Sequence, residues 1–220
     1  MFDKDKHRVV MVTLLKAIYE NEIAGPVLGF KGGTAALLFY GLPRMSVDLD
    51  FDLLDIRKEN EVYQELKLLL PKYGKVVEAV KKINTIFFLL DYGFGERNIK
   101  IEISKRGLPT NYRQKNYLGI PMIVMVKESM LSFKLKALLT RKKVANRDLF
   151  DLWYFVSKNW QFDKKPAKKD IKEAIKKIEA VKENEILYGL GDLLEDKQKE
   201  WVKVSLKKEL IFNLRLLIAG

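Results

Sequence analysis

The sequence predicts an α+β fold in which a mixed α/β half precedes a helical half. Two stretches, 46–52 and 99–104, alternate apolar and polar residues with the period of a β-strand. After residue 126, by contrast, the apolar residues recur at helical spacing. The residues Pro109, Gly119 and Pro121 interrupt 105–126, which we expect to be irregular and to contain the boundary. The predicted domains are therefore 1–125 and 126–220.

The first predicted elements are a helix, a strand and a shorter helix. Apolar residues recur at helical spacing over 5–22, which predicts an amphipathic surface helix that carries His7, the only histidine. A short apolar run at 27–30 predicts a strand, and the residues from 35 to 40 favour a helix. Gly41-Leu42-Pro43 is a typical stop signal for that helix.

The remaining elements of the first half follow the acidic strand at 46–52. Apolar residues at helical spacing predict a helix over 57–73. The runs 76–83 and 85–91 are rich in β-branched and aromatic residues, and the second is apolar enough for an interior strand. The stretch 99–104 has the cleanest alternation in the chain, with its isoleucines directed to the core.

The second half is predicted to contain helices only, because its apolar residues keep the 3.6-residue period throughout. Even the lysine-rich segment 164–182 keeps this period, which predicts a helix rather than disorder. The predicted helices are 127–141, 147–158, 167–183, 185–195 and 197–218.

Composition excludes several kinds of chemistry. The chain of 220 residues has no cysteine, which excludes disulfides, thiolate zinc sites and cysteine nucleophiles. A single histidine leaves no basis for a histidine-based metal site. We expect a cytoplasmic protein without a membrane partner, because no apolar run is long enough to span a bilayer and the first residues lack a signal-peptide core.

The net charge of +12 favours an anionic partner such as nucleic acid. An alternative remains open at this point. Charged residues make up 32% of the chain, and the ion-rich surface of a thermophilic protein could produce a similar balance.

The segment Lys31-Gly32-Gly33-Thr34 lies between the predicted strand 27–30 and the helix that follows it. A strand, a glycine turn and a helix start in this order offer unpaired backbone N–H groups at the positive end of a helix dipole. This junction is suited to binding a phosphate group.

Asp48, Asp50 and Asp52 share one face of the predicted strand. Asp48 and Asp50 are roughly 7 Å apart at their Cα atoms, so their carboxylates can converge on one cation. A divalent metal would offset the repulsion between them, and hard oxygen ligands suit Mg²⁺ or, alternatively, Mn²⁺. A solvated acidic face is the alternative interpretation of an isolated D-x-D, and the adjacent glycine turn favours the metal site.

The glycine segment 31–34 and the acidic strand 46–52, taken together, resemble a known family. The pattern G-G-T, followed after a short helix by R-x-S-x-D-x-D, resembles nucleotidyltransferases of the polymerase-beta-like superfamily. The phrase KGGTAALLFYGLPRMSVDLDFDLL is similar to the first motif of their abortive-infection branch, the AbiE-type toxins. The helix lysine and the R-D-x-x-D pattern at 147–151 resemble a later motif, so the likeness extends to about residue 155.

This resemblance implies a mixed sheet flanked by helices and a set of functional residues. It implies that Glu102, on a strand next to the D-x-D strand, is a third metal-binding carboxylate. It also implies phosphate contacts from Arg44 and Ser46, cationic or proton-transfer chemistry at Lys134, and a catalytic Asp148. Glu102 could instead pair with a neighbouring lysine, and Lys134 could extend along an apolar groove to solvent.

Asp148 and Asp151 have a structural alternative as well. Two acidic residues three positions apart, before an apolar run, are typical of a helix N-terminal cap. Arg147 and Asp151 also have the spacing of a helical ion pair.

We therefore predict a Mg²⁺-dependent nucleotidyltransferase that is the toxin of a toxin–antitoxin pair. The resemblance implies an NTP substrate, an RNA acceptor such as a tRNA end, and an antitoxin that is a DNA-binding regulator. Two alternatives remain, namely transfer to a small molecule or a protein, and a nucleotide-binding module that has lost catalysis.

Overall fold

The computed structural model describes residues 3–93 and 97–219 of the chain. The chain divides into two compact units. The first consists of Met1–Gly41 and Met45–Met125, and the second of Leu42–Arg44 and Val126–Gly220.

The first unit is a mixed sheet with helices, as predicted. The predicted elements up to residue 104 are present, and several have the expected bounds within one or two residues. The helices are α1 (Lys4–Glu20), α2 (Gly32–Tyr40) and α3 (Glu59–Leu69). The strands are β1 (Leu28–Lys31), β2 (Asp48–Leu53), β3 (Lys75–Lys82), β4 (Thr85–Asp91), β5 (Ile99–Ser104), β6 (Tyr112–Tyr117) and β7 (Ile120–Met125).

The seven strands form one sheet in the order β3-β4-β5-β2-β1-β7-β6. The β2–β5 and β1–β7 pairs are parallel and the other pairs are antiparallel, so the sheet is mixed. β4 lies between β3 and β5, which confirms its predicted interior position. The acidic strand β2 occupies the middle of the sheet.

β2 shows the predicted alternation in its burial. Leu49 and Phe51 are fully buried on one face, while the three aspartates on the other face are half-buried. The Phe51 ring packs against Phe30 of β1, with 5.3 Å between the ring centroids. Burial of the apolar face fixes the register of the strand, because a slip of one residue would place every aspartate in the core.

One prediction for the first unit is wrong. Residues 105–126 were expected to be irregular, but β6 and β7 form an antiparallel hairpin. Its turn consists of Leu118 (φ 51°) and Gly119 (φ 83°), and the Asn116 side chain accepts a hydrogen bond of 2.9 Å from the Gly119 amide. Leu-Gly is not a typical turn pair, since two positive φ angles favour Asn-Gly or Asp-Gly. Pro121, which has no backbone N–H to donate, is the second residue of β7. It is tolerated there because β7 pairs with β1 only three residues later, at Val124.

The second unit is helical, with α4 (Lys127–Thr140), α5 (Asn146–Ser157), α6 (Lys168–Glu179), α7 (Asp196–Trp201) and α8 (Lys207–Ala219). A π-helical segment, Val202–Leu206, joins α7 to α8, so the helix predicted at 197–218 is continuous. The helix predicted at 185–195 is wrong. That segment contains short 3₁₀ turns and Gly189 at φ 66°, a left-handed conformation that interrupts a helix.

No helix in the described part of the chain combines the length and the apolar character that a bilayer crossing requires.

We predict that Leu118→Asn stabilises the first unit. Leu118 is 77% exposed and holds a positive φ, which asparagine tolerates better than leucine. The free energy of unfolding, measured by urea titration, should rise by about 0.5–1 kcal/mol. An unchanged or lower value would contradict the turn assignment.

Candidate active site

The junction between β1 and α2 carries the predicted phosphate-binding segment. Lys31 has an extended backbone, and α2 begins at Gly32, so the two glycines form the first turn of the helix rather than a separate turn. The backbone N–H groups of Gly32, Gly33 and Thr34 therefore belong to the N-terminal end of α2, where helical carbonyl partners are lacking. The positive end of the helix dipole lies at the same place.

Gly32 brings this helix end directly against the acidic strand. Its φ is +78°, and a Cβ atom added to it would lie 2.5 Å from Oδ2 of Asp50. Any side chain at this position would displace the Asp50 carboxylate. The glycine is therefore required both for its backbone conformation and for the close approach of Asp50.

Asp52 differs from the other two aspartates of β2 because its carboxylate is fully engaged. Oδ1 accepts from Lys31 Nζ at 2.5 Å, and Oδ2 accepts from the Tyr112 hydroxyl at 2.5 Å. The Tyr112 ring packs against Gly29, where an added Cβ would lie 2.4 Å from the ring. Burial and the Asp52 charge both raise the pKa of Tyr112, which keeps its hydroxyl a donor.

Asp48, Asp50 and Glu102 lie at neighbouring positions of the central strands. Asp50 is in register with Glu102 across the parallel β2–β5 pair, and Asp48 is in register with Lys100. The Lys100 Nζ atom lies 3.1 Å from Asp48 Oδ2. Lys100 is therefore paired with Asp48 rather than with Glu102.

The surroundings of Asp50 disfavour the charged form of its carboxylate. Burial raises the pKa of Asp50, and the carboxylates of Asp48 and Glu102 raise it further, against the opposing charges of Lys100 and Lys31. A hard divalent cation would relieve this repulsion, so the residues present fit Mg²⁺. Within 3–93 and 97–219, however, no three acidic or histidine side chains converge closely enough to enclose a metal ion.

The hydroxyl groups of Thr34 and Ser46 position Asp48 in this structure. Thr34 is fully buried, and its Oγ1 lies 2.9 Å from Ser46 Oγ and 2.5 Å from the Asp48 carbonyl oxygen. Both residues were predicted to contact phosphate. The contacts found here instead connect the first turn of α2 to the backbone at the start of β2.

His7 lies on α1, the amphipathic helix that was predicted, and its side chain belongs to the buried face of that helix. Its Nε2 lies 3.0 Å from the Val47 carbonyl oxygen and its Nδ1 lies 2.7 Å from the Tyr92 hydroxyl. A carbonyl only accepts, so Nε2 carries a proton and donates it to Val47, and in the neutral imidazole Nδ1 accepts from the Tyr92 hydroxyl. The imidazole thus holds the backbone immediately before Asp48.

The second unit contains a separate buried cluster of charges around Lys134. Its Nζ lies 2.7 Å from Asp148 Oδ1 and 2.6 Å from Asp151 Oδ2. Arg44 donates to both oxygens of Asp151, from Nε at 2.5 Å and from Nη2 at 2.7 Å. Arg141 Nη1 donates to the second oxygen of Asp148. Arg44 is buried and was predicted to contact phosphate, but its guanidinium is engaged by Asp151.

The interpretation of Asp148 and Asp151 as helix caps is wrong. Ala145 is the N-cap of α5 and no side chain caps that end. Both aspartates are buried and form ion pairs, and Asp151 pairs with Arg44 and Lys134. A residue 107 positions away supplies one of these partners, so local spacing could not identify it.

The charge state of Lys134 decides between the two roles predicted for it, which are stabilisation of negative charge and proton transfer. Burial alone would lower the pKa of Lys134, but Asp151 and Asp148 outweigh burial and raise it above the usual range. The amine is therefore held as an ammonium group. This favours stabilisation of negative charge and argues against removal of a proton from an attacking hydroxyl.

The fold of the chain is that of proteins described as nucleotidyltransferases. A proposed nucleotidyltransferase from H. pylori superimposes with a TM-score of 0.65 at 21% identity, covering 97% of this chain and 94% of that chain. JHP933 from Helicobacter pylori gives 0.62 at 21% identity, over 100% and 94%. MenT4, a nucleotidyltransferase toxin from Mycobacterium tuberculosis, gives 0.54 at 15% identity, over 96% and 83%. Identities this low concern the fold alone.

The family itself is established by sequence. The model of the nucleotidyl transferase AbiEii toxin, of type IV toxin–antitoxin systems, matches residues 13–209. The chain therefore belongs to the AbiEii family of toxin nucleotidyltransferases, which confirms the resemblance seen in its motifs. No curated protein sequence matches the chain significantly.

We predict that Gly32→Ala destabilises the protein more than the matched variant Gly107→Ala. Both glycines have positive φ, but a Cβ at Gly107 meets nothing within 4 Å. Urea unfolding should show a loss of about 1 kcal/mol for Gly107→Ala and at least about twice that for Gly32→Ala. Equal losses would show that Asp50 does not approach Gly32 closely.

We predict that Asp151 makes stability depend on pH in the acid range. Burial would raise the pKa of Asp151, but Arg44 and Lys134 lower it to about 2, below the ordinary aspartate value in the unfolded chain. This contribution is complete above about pH 4 and is lost as the pH falls towards 2. It corresponds to about 2 kcal/mol of unfolding free energy.

The test compares Asp151→Asn with Asp196→Asn, which alters an exposed ion pair. Urea titrations between pH 5 and 2.5 should show a shallower loss of stability for Asp151→Asn than for wild type. Asp151→Asn should also be less stable at pH 7, because Arg44 is left buried without its counter-charge. Identical slopes in all three proteins would contradict the assignment.

Proposed function

We propose that the protein transfers a nucleoside monophosphate from an NTP to an RNA acceptor with the help of Mg²⁺. The oxygen of an acceptor hydroxyl would form the new bond to the α-phosphorus and its proton would pass to solvent. The bond from the α-phosphorus to the oxygen of the β-phosphate would break, and pyrophosphate would leave with that electron pair. The observation that carries this proposal is the contact between the N-terminal turn of α2 and the Asp50 carboxylate. This contact supports the proposal because a helix N-terminus is suited to phosphate and the adjacent carboxylate is proposed to bind the metal.

Asp48 and Asp50 are the residues proposed to hold the metal, which is Mg²⁺ or, alternatively, Mn²⁺. Glu102 is proposed as a further ligand because it is in register with Asp50. When bound, the metal would offset the negative charge of the phosphates and of the attacking and leaving oxygens. Asp52 is excluded from this role by its contacts with Lys31 and Tyr112.

The backbone N–H groups of Gly32, Gly33 and Thr34 are proposed to bind the outer phosphates of the NTP. Lys31 is proposed to add positive charge beside them. Lys134 is proposed to stabilise negative charge in the same reaction, and Asp148 to orient its ammonium group. Three other groups are proposed to position their neighbours rather than to contact the nucleotide. The hydroxyls of Thr34 and Ser46 would hold the backbone at Asp48, and Arg44 would hold Asp151.

The distribution of charge supports RNA as the acceptor. The second unit carries 23 lysine and arginine residues against 14 aspartate and glutamate residues, which gives +9 of the total +12. Such an excess on one part of a chain is typical of nucleic-acid binding. We accordingly propose the first unit as the nucleotidyltransferase domain and the second as a helical domain that contacts the acceptor.

The family assignment implies an antitoxin partner and an NTP substrate. We propose that the antitoxin is a DNA-binding regulator. A cytoplasmic location follows from the proposed substrates, since NTP and RNA are both found there.

The test is transfer of label from α-labelled NTPs to purified RNA, with Asp50→Asn compared with Asp52→Asn. Both variants change one carboxylate on the same strand face. Asp50→Asn should lower transfer by at least about 100-fold, because the metal site is lost. Asp52→Asn should lower it by no more than about tenfold, because Asp52 contacts protein groups only.

Each other result has a defined meaning. Label in protein or in a small soluble product would replace RNA as the acceptor. Equal losses in both variants would contradict the separation of Asp50 from Asp52. No transfer by wild type with any NTP, while NTP binding persists in excess chelator, would favour a binding module without catalysis.

A further inference from the structure

Tyr188 is an aromatic residue whose ring is exposed although its backbone is held in place. The side chain is 76% exposed. The buried Asn146 side chain donates to the carbonyl oxygens of Glu185 at 2.7 Å and of Tyr188 at 3.2 Å. Ile186 and Leu190, on either side of it, are buried. A large ring presented on an anchored backbone loses little conformational freedom when a partner stacks on it.

The ring of Tyr188 has positive charge beside it. The Nζ atom of Lys143 lies 5.1 Å from the ring centroid, which is within the range of a cation–π contact. Lys143 ends a run of three consecutive cations that begins at Arg141 and continues through Lys142. All three side chains are exposed or half-exposed.

The start of this cationic run is anchored by the protein. Lys177 Nζ donates to the carbonyl oxygens of Leu138 and Arg141, each at 3.2 Å, and to that of Leu139. The Arg141 guanidinium donates to Asp148, which also accepts from Lys134 at 2.7 Å. Hydrogen bonds and ion pairs within the second unit therefore connect Lys134 to the loop that flanks Tyr188.

An exposed aromatic ring together with adjacent lysines matches the chemistry of a single-stranded nucleic acid. Its bases stack on aromatic rings and its phosphates contact cations. A double helix would use the cations but not the ring, since its bases are already stacked. An acidic peptide would likewise use the cations without requiring an exposed ring.

We propose that Tyr188 and the run Arg141–Lys142–Lys143 form a docking surface for an unpaired end of the RNA acceptor. Tyr188 stacks on one base, and Lys142 and Lys143 contact the adjoining phosphates. The inference rests on the proposed function, because it specifies where the RNA acceptor of the transfer reaction binds.

The experiment measures binding of fluorescein-labelled RNA to the full chain by anisotropy, without NTP. One RNA is a hairpin with four unpaired nucleotides at its 3′ end, and the other is the same hairpin with a blunt end. Tyr188→Ala should weaken binding of the first RNA by about 5- to 100-fold, the range expected for loss of one stacked base, and leave the blunt hairpin almost unaffected. Tyr188→Trp should restore binding.

Control variants separate stacking and local charge from general effects. Phe212→Ala removes another exposed aromatic ring of the same unit, and it should bind both RNAs as wild type does. The double variant Lys142→Gln, Lys143→Gln should reduce the salt dependence of binding by about 1.4 units of the log–log slope, since each phosphate contact to a single strand contributes about 0.7. The charge-matched pair Lys168→Gln, Lys169→Gln on α6 should reduce it less.

Several results would overturn the proposal. These are wild-type affinity of Tyr188→Ala for the unpaired end, an equal loss for both hairpins, or displacement of RNA by polyglutamate at the same charge concentration. Absence of RNA binding by wild type would overturn it as well. Transfer assays on the same RNA separate the two levels. Labelling by wild type with normal binding by Tyr188→Ala refutes the docking surface and leaves the proposed function standing.

Discussion

The contact between Gly32 and Asp50 is the constraint on which the candidate site depends. A helix N-terminus attracts anions and a pair of strand carboxylates attracts cations, and at this junction their close approach requires a residue without a side chain. Gly32 satisfies this requirement with a positive φ and with no Cβ to displace the Asp50 carboxylate. An NTP bound with a divalent metal has the complementary charges, since its phosphates suit the helix end and its metal suits the carboxylates.

The buried acidic residues of the protein differ in the charges that surround them. Asp52 and Asp151 have cationic partners in direct contact, and their carboxylates stabilise local structure. Asp50 differs, because burial and neighbouring carboxylates raise its pKa against the charges of Lys100 and Lys31. Lys134 is a buried cation of the opposite kind, because Asp151 and Asp148 stabilise its ammonium form and raise its pKa.

Much of this structure follows from the sequence because its signals are local. The alternation in β2 and β5 predicted both strands and the polar face that carries Asp48, Asp50 and Glu102. The hairpin of β6 and β7 was missed because Leu118 adopts a conformation that its residue type disfavours. The partners of the charged residues were missed for another reason. Tyr112 meets Asp52 and Arg44 meets Asp151 across long separations in the chain, which no local spacing records.

The central claim is that Asp50 and the first turn of α2 bind one metal–nucleotide complex. The most direct measurement is calorimetric titration of a non-hydrolysable NTP analogue into wild type and Asp50→Asn, with Mg²⁺ and with excess chelator. The account predicts that Mg²⁺ tightens binding to wild type by about tenfold or more and has no such effect on Asp50→Asn. Equal affinity of wild type with and without Mg²⁺, or an undiminished Mg²⁺ effect in Asp50→Asn, would contradict it.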